Sequence, residues 1–399
     1  MNWSDDMKRR LAWEPQSGVG TPGDGSSSSA VATAPANGTR ALQRIVHVGP
    51  SRASFGGVAA VLTTYESSTK LKARYEIRFI DTWKDGPLIA AVPTFLVGLW
   101  RLRSACVDRQ RPIVHIHMAS RGSFYRKSVA LGLAAGLGCS TILHLHGAEF
   151  HTFAAQGSRR RRDAIQRTFA RADKVIALSD EWVERIAEFS GRTDAVVVPN
   201  PVSLPTRMTA GSNPPLVVFL GRLGVRKGTD VLLSAISSLQ ARGVRARYVL
   251  GGDGDLTTFR AQAGRLPNPE EVELPGWLSG RDKQRLLSVA DVFCLPSRDE
   301  GVPIALLEAM AWGLACVVTP VGGVPSVVSD TVDARVVPVG EAAVLAEVIA
   351  SLVADPVERS RLGGAARAHV ASTYGIDAVA GVLCGVYSSL MEGARDATP

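Results

Sequence analysis

The sequence predicts an α/β protein of two facing, doubly wound domains, and three observations carry that prediction. At 399 residues the chain exceeds the size at which a single hydrophobic core keeps growing. Short β-branched runs alternate with longer helical patterns, the signature of parallel sheets whose strands are joined by helices. A turn-rich passage at 199–215, holding Pro199, Pro201, Pro205, Pro214 and Pro215, divides the alternation into two series and reads as an interdomain linker.

Taken in order, residues 1–40 are rich in Ser, Gly, Pro, Thr and Ala without an apolar period, so they read as a disordered tail outside the fold. Strands are expected at 45–48, 77–80, 113–117, 141–146, 175–178 and 196–198, which outlines a first domain over 41–200. A second series at 217–220, 248–250, 272–274, 292–295, 316–318 and 335–337 outlines a second domain over 201–374. A ligand is expected at the carboxyl ends of these strands.

Composition narrows the class. The net charge of +8 favours acidic partners, and sequence charge alone does not choose among nucleic acid, phosphorylated metabolites and an anionic membrane surface. Five scattered cysteines without C-x-x-C spacing read as reduced, mostly buried thiols of a cytosolic protein. No secretory signal is visible, and the apolar stretches at 87–100 and 129–143 are shorter than the roughly 20 residues a spanning helix needs, so any membrane contact is expected to be peripheral.

The most informative segment runs from Pro296 to Met310, a strand-to-helix junction in which Gly301 gives backbone access and Pro303 suits a first helical turn. Backbone N–H groups there would face an anion or a sugar. Glu300 and Glu308 stand about 12 Å apart on a helical path, roughly the distance from a sugar ring to a ribose across a diphosphate. The bland alternative is a solvated loop carboxylate and a Glu favoured by the helix dipole. A second segment, 219–230, combines a strand, a glycine-bearing loop and the cations Arg222, Arg226 and Lys227. Arg222 and Lys227 could hold a diphosphate without a metal, or could simply form a solvated basic turn. Neither this loop nor Gly251-Gly252-Asp253-Gly254 has the Walker or G-x-G-x-x-G order.

In the first half, Gly56 and Gly57 follow the first strand and would permit close approach of a phosphate at a helix N-terminus, although such turns also serve geometry alone. Two H-x-H pairs, His115 with His117 and His144 with His146, each place two rings on one strand face. No nearby Cys or H-E-x-x-H helix supports zinc, and each pair is expected to split into one packed and one cleft-facing ring, with His146 facing the cleft. Basic clusters at Arg121, Arg126 and Lys127, and at 159–162 with Arg167 and Arg171, read either as solvated helix faces or as attraction to anionic lipid or a phosphate-bearing acceptor. Aromatic residues do not interleave with these cations, so nucleic acid is not expected as a partner.

Together, these residues resemble the family 4 retaining glycosyltransferases of GT-B fold, of bacterial polysaccharide type, across most of 44–392. The resemblance rests on Gly221-Arg222-Leu223 with Lys227-Gly228, on Gly251-Gly252-Asp253-Gly254 and Pro275-Gly276-Trp277, and on Glu300 and Glu308 followed by Ala309-Met310-Ala311-Trp312-Gly313 and Val321-Gly322-Gly323-Val324-Pro325. His144-Leu145-His146-Gly147 and Gly56-Gly57 add looser support in the first half. It implies two facing Rossmann-like domains, with a C-terminal helix within 375–399 crossing back to the first. It also implies a nucleotide-diphosphate sugar donor, gripped by Arg222 and Lys227 and approached by Gly56 and Gly57. Glu308 would bind the ribose, Glu300 with the amides of Gly301, Val302, Pro303 and Ile304 would orient the sugar, and His146 would contact the sugar or the developing charge.

No cofactor or metal is implied. The departing phosphate would take the acceptor's proton, whereas double displacement would nominate Glu149 and Asp299. The expected acceptor is a glycan or polyprenyl-lipid-linked molecule at the cytoplasmic face of an anionic membrane. A sugar-nucleotide epimerase, a phosphorylase and a non-catalytic sugar-nucleotide-binding subunit are the alternatives.

Overall fold

Aliphatic runs of four to seven residues bounded by turn residues are too short for stable helices and bury best in a parallel sheet covered on both faces. In the computed structural model, which describes residues 42–86, 88–147, 149–206, 211–278 and 280–396, these runs form two six-stranded sheets. The tail expected at 1–40 lies outside the described residues.

The first sheet contains β1 (Gln43–Gly49), β2 (Tyr75–Asp81), β3 (Ile113–Met118), β4 (Thr141–Leu145), β5 (Lys174–Ala177) and β6 (Val196–Val197), in the order β2-β1-β3-β4-β5-β6. The second contains β7 (Leu216–Leu220), β8 (Arg247–Gly251), β9 (Val272–Gly276), β10 (Val292–Leu295), β11 (Ala315–Val318) and β12 (Arg335–Val336), in the order β12-β11-β10-β7-β8-β9. All the paired strands are parallel. In each sheet the chain leaves its first strand in both directions, so crevices open after β1 and β3 and after β7 and β10.

Side-chain alternation divides the first sheet's core in two. Val46, Val48, Val114, Ile116 and Leu143 pack on one face with Leu102, Phe124 and Phe169. Ile45, Ile113, Ile142 and Ile176 pack on the other with Val61 and Tyr65 and with Val379, Leu383 and Tyr387 of the last helix, Ile376–Asp396. That helix therefore returns to the first sheet, as the resemblance implies.

Candidate active site

β7 and β10 are neighbours, and the loops leaving their carboxyl ends meet. After β7 a short 3₁₀ turn, Val225–Lys227, ends on Gly228 at φ 68°, where a β-carbon would stand 1.9 Å from the carbonyl oxygen of Pro296. Only glycine lets the two loops touch there. The contact brings the Lys227 ammonium onto Glu300 Oε1, which also accepts from Ser297 Oγ at 2.6 Å. The two side chains of this pair are only 15% and 5% exposed, so each charge depends on the other for solvation. Gly322, at φ 52°, backs the Glu300 backbone just as closely.

Arg222 follows Gly221, on which a β-carbon would lie 3.7 Å from Lys227 Cε, but its own side chain is 70% exposed and its ion-pair partner among the described residues is Asp253, at 3.8 Å. Gly301, Val302 and Pro303 are buried and Ile304 half-buried where the helix Ile304–Ala311 begins, with no side chain capping its first amides. Glu308 is held by Lys283 Nζ at 2.5 Å. The structure thus joins Lys227 to Glu300, leaves Arg222 exposed near Asp253, and holds Glu308 through a lysine on the helix Gly280–Val289.

The first lobe closes on these loops. Gly56 (φ 112°) precedes the helix Gly57–Ser67, and a β-carbon on Gly57 would lie 3.3 Å from Ile304 Cγ1. Asn200 Nδ2 donates to the Val302 carbonyl at 3.1 Å, and the Phe55 and Trp277 rings sit 4.9 Å apart. Glu149 meets Arg121 at 3.2 Å and Arg226 at 3.8 Å, while Arg226 Nη1 also donates to the Asp299 carbonyl. Of the two acids that double displacement would nominate, Glu149 therefore has its carboxylate engaged by arginines, while Asp299 meets Arg226 through its backbone carbonyl.

His146 is half-buried, and its Nε2 lies 2.9 Å from His117 Nδ1. Burial pushes its ring down to about 3, so it is neutral near pH 7. The second H-x-H pair splits as expected into a packed His144 and a more open His146. The first pair does not: His115 and His117 are 0% and 1% exposed, because both rings stack among their histidine neighbours. Two sets, His47/His115/His117 and His117/His144/His146, bring ring nitrogens within 4.8 Å of one another.

Lys127 also departs from a solvated helix face. It is 2% exposed, its amine rests on Thr82 Oγ1, and burial lowers it to about 7. With Arg126, whose guanidinium lies 4.5 Å from the Trp83 ring centroid, it lines a cavity of about 190 Å³ beside Gly56, Gly57 and His117.

Sequence reasoning missed several residues of this site. Ser297, three residues before Glu300, had a local signal. Lys283, Asn200, His47 and Tyr387 had none, since tertiary contacts alone bring them in.

The chain matches the glycosyl transferase 4-like domain over residues 33–201 and the glycosyl transferases group 1 domain over residues 207–369. It is 30% identical over 204 residues to the putative colanic acid biosynthesis glycosyltransferase WcaL of Escherichia coli (strain K12), covering 47% of this chain and 49% of that one. It is 32% identical over 206 residues to the phosphatidyl-myo-inositol mannosyltransferase of Mycobacterium leprae (strain TN), covering 50% and 54%. The matched regions span about half the length of these curated relatives. Among solved structures, Anabaena Alr3699/HepE in complex with UDP and glucose superposes with a TM-score of 0.67 at 17% identity, over 87% of this chain and all of that one. With both lobes matched in order and the two-sheet scaffold shared, the chain belongs to the family 4 glycosyltransferases of GT-B fold.

Proposed function

We propose that this protein moves a sugar from a nucleotide-diphosphate donor to a glycan or polyprenyl-lipid-linked acceptor, with retention and without a metal, in cell-surface polysaccharide or glycolipid synthesis. The observation that carries the reading is the buried Lys227–Glu300 pair where the carboxyl ends of β7 and β10 meet. A cation and a carboxylate at such a crevice suit a diphosphate and a sugar hydroxyl respectively. Lys227 and Arg222 would stabilise the leaving diphosphate, and the N–H groups of Gly301, Val302 and Ile304 with Glu300 would orient the sugar, Pro303 having no N–H to offer. Glu308 would bind the ribose, while Gly56 and Gly57 would let the phosphates approach the helix Gly57–Ser67. Charge neutralised this way, in a cleft closed by the first lobe, can supply several kcal/mol at the transition state without a metal.

Retention is best served by front-face attack, in which the departing phosphate oxygen takes the acceptor's proton. The engagement of the Glu149 carboxylate by Arg121 and Arg226 supports that route over double displacement through Glu149. The cavity at Lys127 and Arg126 favours an acceptor that carries a phosphate, in keeping with the phosphatidylinositol named for the mycobacterial relative.

Residues Val92, Leu96, Val97 and Trp100 are exposed on the helix Leu88–Cys106, next to the exposed Arg101 and Arg103. This face supports peripheral seating on an anionic membrane at its cytoplasmic side; among the described residues no helix is long and apolar enough to cross one.

The test is a screen of UDP-, GDP-, dTDP- and ADP-sugars with membrane extract as acceptor, read by mass spectrometry. Transfer with release of the nucleoside diphosphate is the expected result. Donor conversion without acceptor would mean an epimerase, and binding without product a non-catalytic subunit; either outcome overturns the proposal.

A further inference from the structure

Four of the seven histidines lie on the adjacent strands β1, β3 and β4 of the first sheet, and His146 follows the end of β4 by one residue. Register sets His47 beside His115 and His117 beside His144, and the two-residue period aligns His146 with them. Tyr65 of the helix Gly57–Ser67 and Tyr387 of the last helix are the other titratable groups against these rings. His146 Nε2 lies 2.9 Å from His117 Nδ1, and His117 Nε2 lies 2.9 Å from His47 Nδ1. His47 Nε2 is 3.4 Å from the Tyr387 hydroxyl, which is 2.8 Å from His115 Nδ1. His115 Nε2 then lies 3.1 Å from His144 Nδ1, and His144 Nε2 is buried with no hydrogen-bond partner among the described residues.

Burial lowers the proton affinity of all five rings, so each is neutral and offers one donor and one acceptor. The Tyr387 hydroxyl has no hydrogen-bond partner among the described residues other than these two rings, so it donates to one and accepts from the other, and the unbroken chain then has two proton arrangements. In one, His144 ends the chain as an N–H buried without an acceptor. In the other it ends as a bare lone pair, and every N–H points the opposite way. An orphaned buried donor is the rarer and costlier of the two. The second arrangement leaves His146 with a proton on Nδ1.

The cleft end agrees. Asn200 is buried, its Nδ2 is committed to the Val302 carbonyl, and its Oδ1 makes no hydrogen bond among the described residues. Asn200 also raises the proton affinity of His146, and the unpartnered Oδ1 is its one side-chain acceptor. We propose that this chain holds His146 as a neutral ring presenting Nδ1–H to the cleft, with Asn200 as the positioning residue that ties the ring to the loop carrying Glu300. The chain is a lock and not a relay. In this arrangement the cleft end of the chain is an N–H, His146 Nε2 already accepts from His117, and the one lone pair left over is the buried His144 Nε2 at the far end, so His146 has no site at which to take up a proton from the cleft. His146 therefore donates a hydrogen bond to a sugar hydroxyl or to developing negative charge and does not act as a general base. That role rests on the function proposed above; the tautomer does not.

Imidazole ¹⁵N NMR of the full-length protein tests it, with His146 assigned by its loss in His146→Gln. The expected result is one neutral tautomer protonated on Nδ1 from about pH 5.5 to 8.5. An Nε2-protonated ring, a mixture or a charged ring overturns the proposal. Asn200→Leu should give mixed tautomers and lower kcat about tenfold, the equivalent of one hydrogen bond, with donor KM unchanged. A variant that keeps the single Nδ1 tautomer overturns the role of Asn200. If Asn200→Leu does not fold, Asn200→Asp asks the same question, because a carboxylate facing Nδ1–H should lift the ring into a titrating range. A ring still neutral at about pH 5.5 in that variant is equally fatal. The expected tautomer in a protein that consumes no nucleotide sugar upholds the lock and refutes the transfer reading alone.

Discussion

The two walls of the cleft solve the same burial problem in opposite ways. The second lobe keeps its charges and pairs them: Lys227 with Glu300, Lys283 with Glu308, and Arg298 with Asp230 at 2.8 Å. The first lobe removes charge, packing five neutral imidazoles and lowering Lys127 to about 7. Paired ions in a low-dielectric site are fixed in place and can meet a diphosphate without reorganising. Neutral rings cannot balance a diphosphate, but they can direct N–H groups at hydroxyls. Under the proposed function, the contrast would give leaving-group charge to one wall and substrate orientation to the other.

The strongest way to break this comparison is to remove charge from the second lobe. Lys227→Ala and Glu308→Ala are each expected to lower turnover by at least about 10²-fold, the scale of losing one preorganised group. Near-ultraviolet circular dichroism should show the fold intact, and steady-state kinetics on the identified donor gives the loss. Near-normal turnover in either variant would remove that residue from the assigned machinery.

The charged wall was also the legible one, for a physical reason. Arg222 and Lys227 lie on the loop that leaves β7, Glu300 on the loop that leaves β10 and Glu308 on the helix that follows it, so local spacing and the rule for switch points in parallel sheets point to one crevice. The neutral wall depends on register between strands and on a helix that returns from the far end of the chain. His115 and Tyr387 are 272 residues apart, and His47 and Tyr387 are 340 apart. Spacing showed that His115 and His117 share a face, but it could not show that His47 fills the same layer. Lys127 reads as one cation in a basic cluster, because its burial is decided by Thr82 and Trp83 on another segment. The strands were legible from their β-branched runs. Lys283 was not, since a helical lysine looks the same whether it meets water or Glu308.

A subtler test sharpens the comparison on the neutral wall. Lys127→Met should raise the KM for a phosphate-bearing acceptor at least about tenfold, the order of one charge-assisted hydrogen bond. Donor hydrolysis without acceptor should be unchanged. In the native protein acceptor binding should weaken as pH rises through about 7, because the folded lysine loses its proton there. The unfolded chain keeps that proton to about 10.4, so it binds more protons across this window and stability rises with pH. Stability is lost as pH falls through about 7. Thermal melts from pH 6 to 9 should therefore show a slope that Lys127→Met flattens, and equal slopes would mean that the lysine is charged in the fold.

The smallest effect concerns the outer face of the same lobe, where the treatment of charge reverses. Arg101 and Arg103 stay in solvent beside Leu96 and Trp100, which are 58% and 69% exposed. Side chains this open contribute little to folding, so Leu96→Ser and Trp100→Ser should each change stability by less than about 0.5 kcal/mol. If the face seats on a membrane, the double variant should lose most of its binding to phosphatidylglycerol vesicles in a co-sedimentation assay and keep its turnover on a water-soluble acceptor. Added salt separates the two contributions, because it screens the arginines and leaves apolar insertion intact. Native protein that ignores the vesicles at low salt would confine the first lobe's substrate contacts to the cleft, and the exposed tryptophan would then have no role in reaching a lipid.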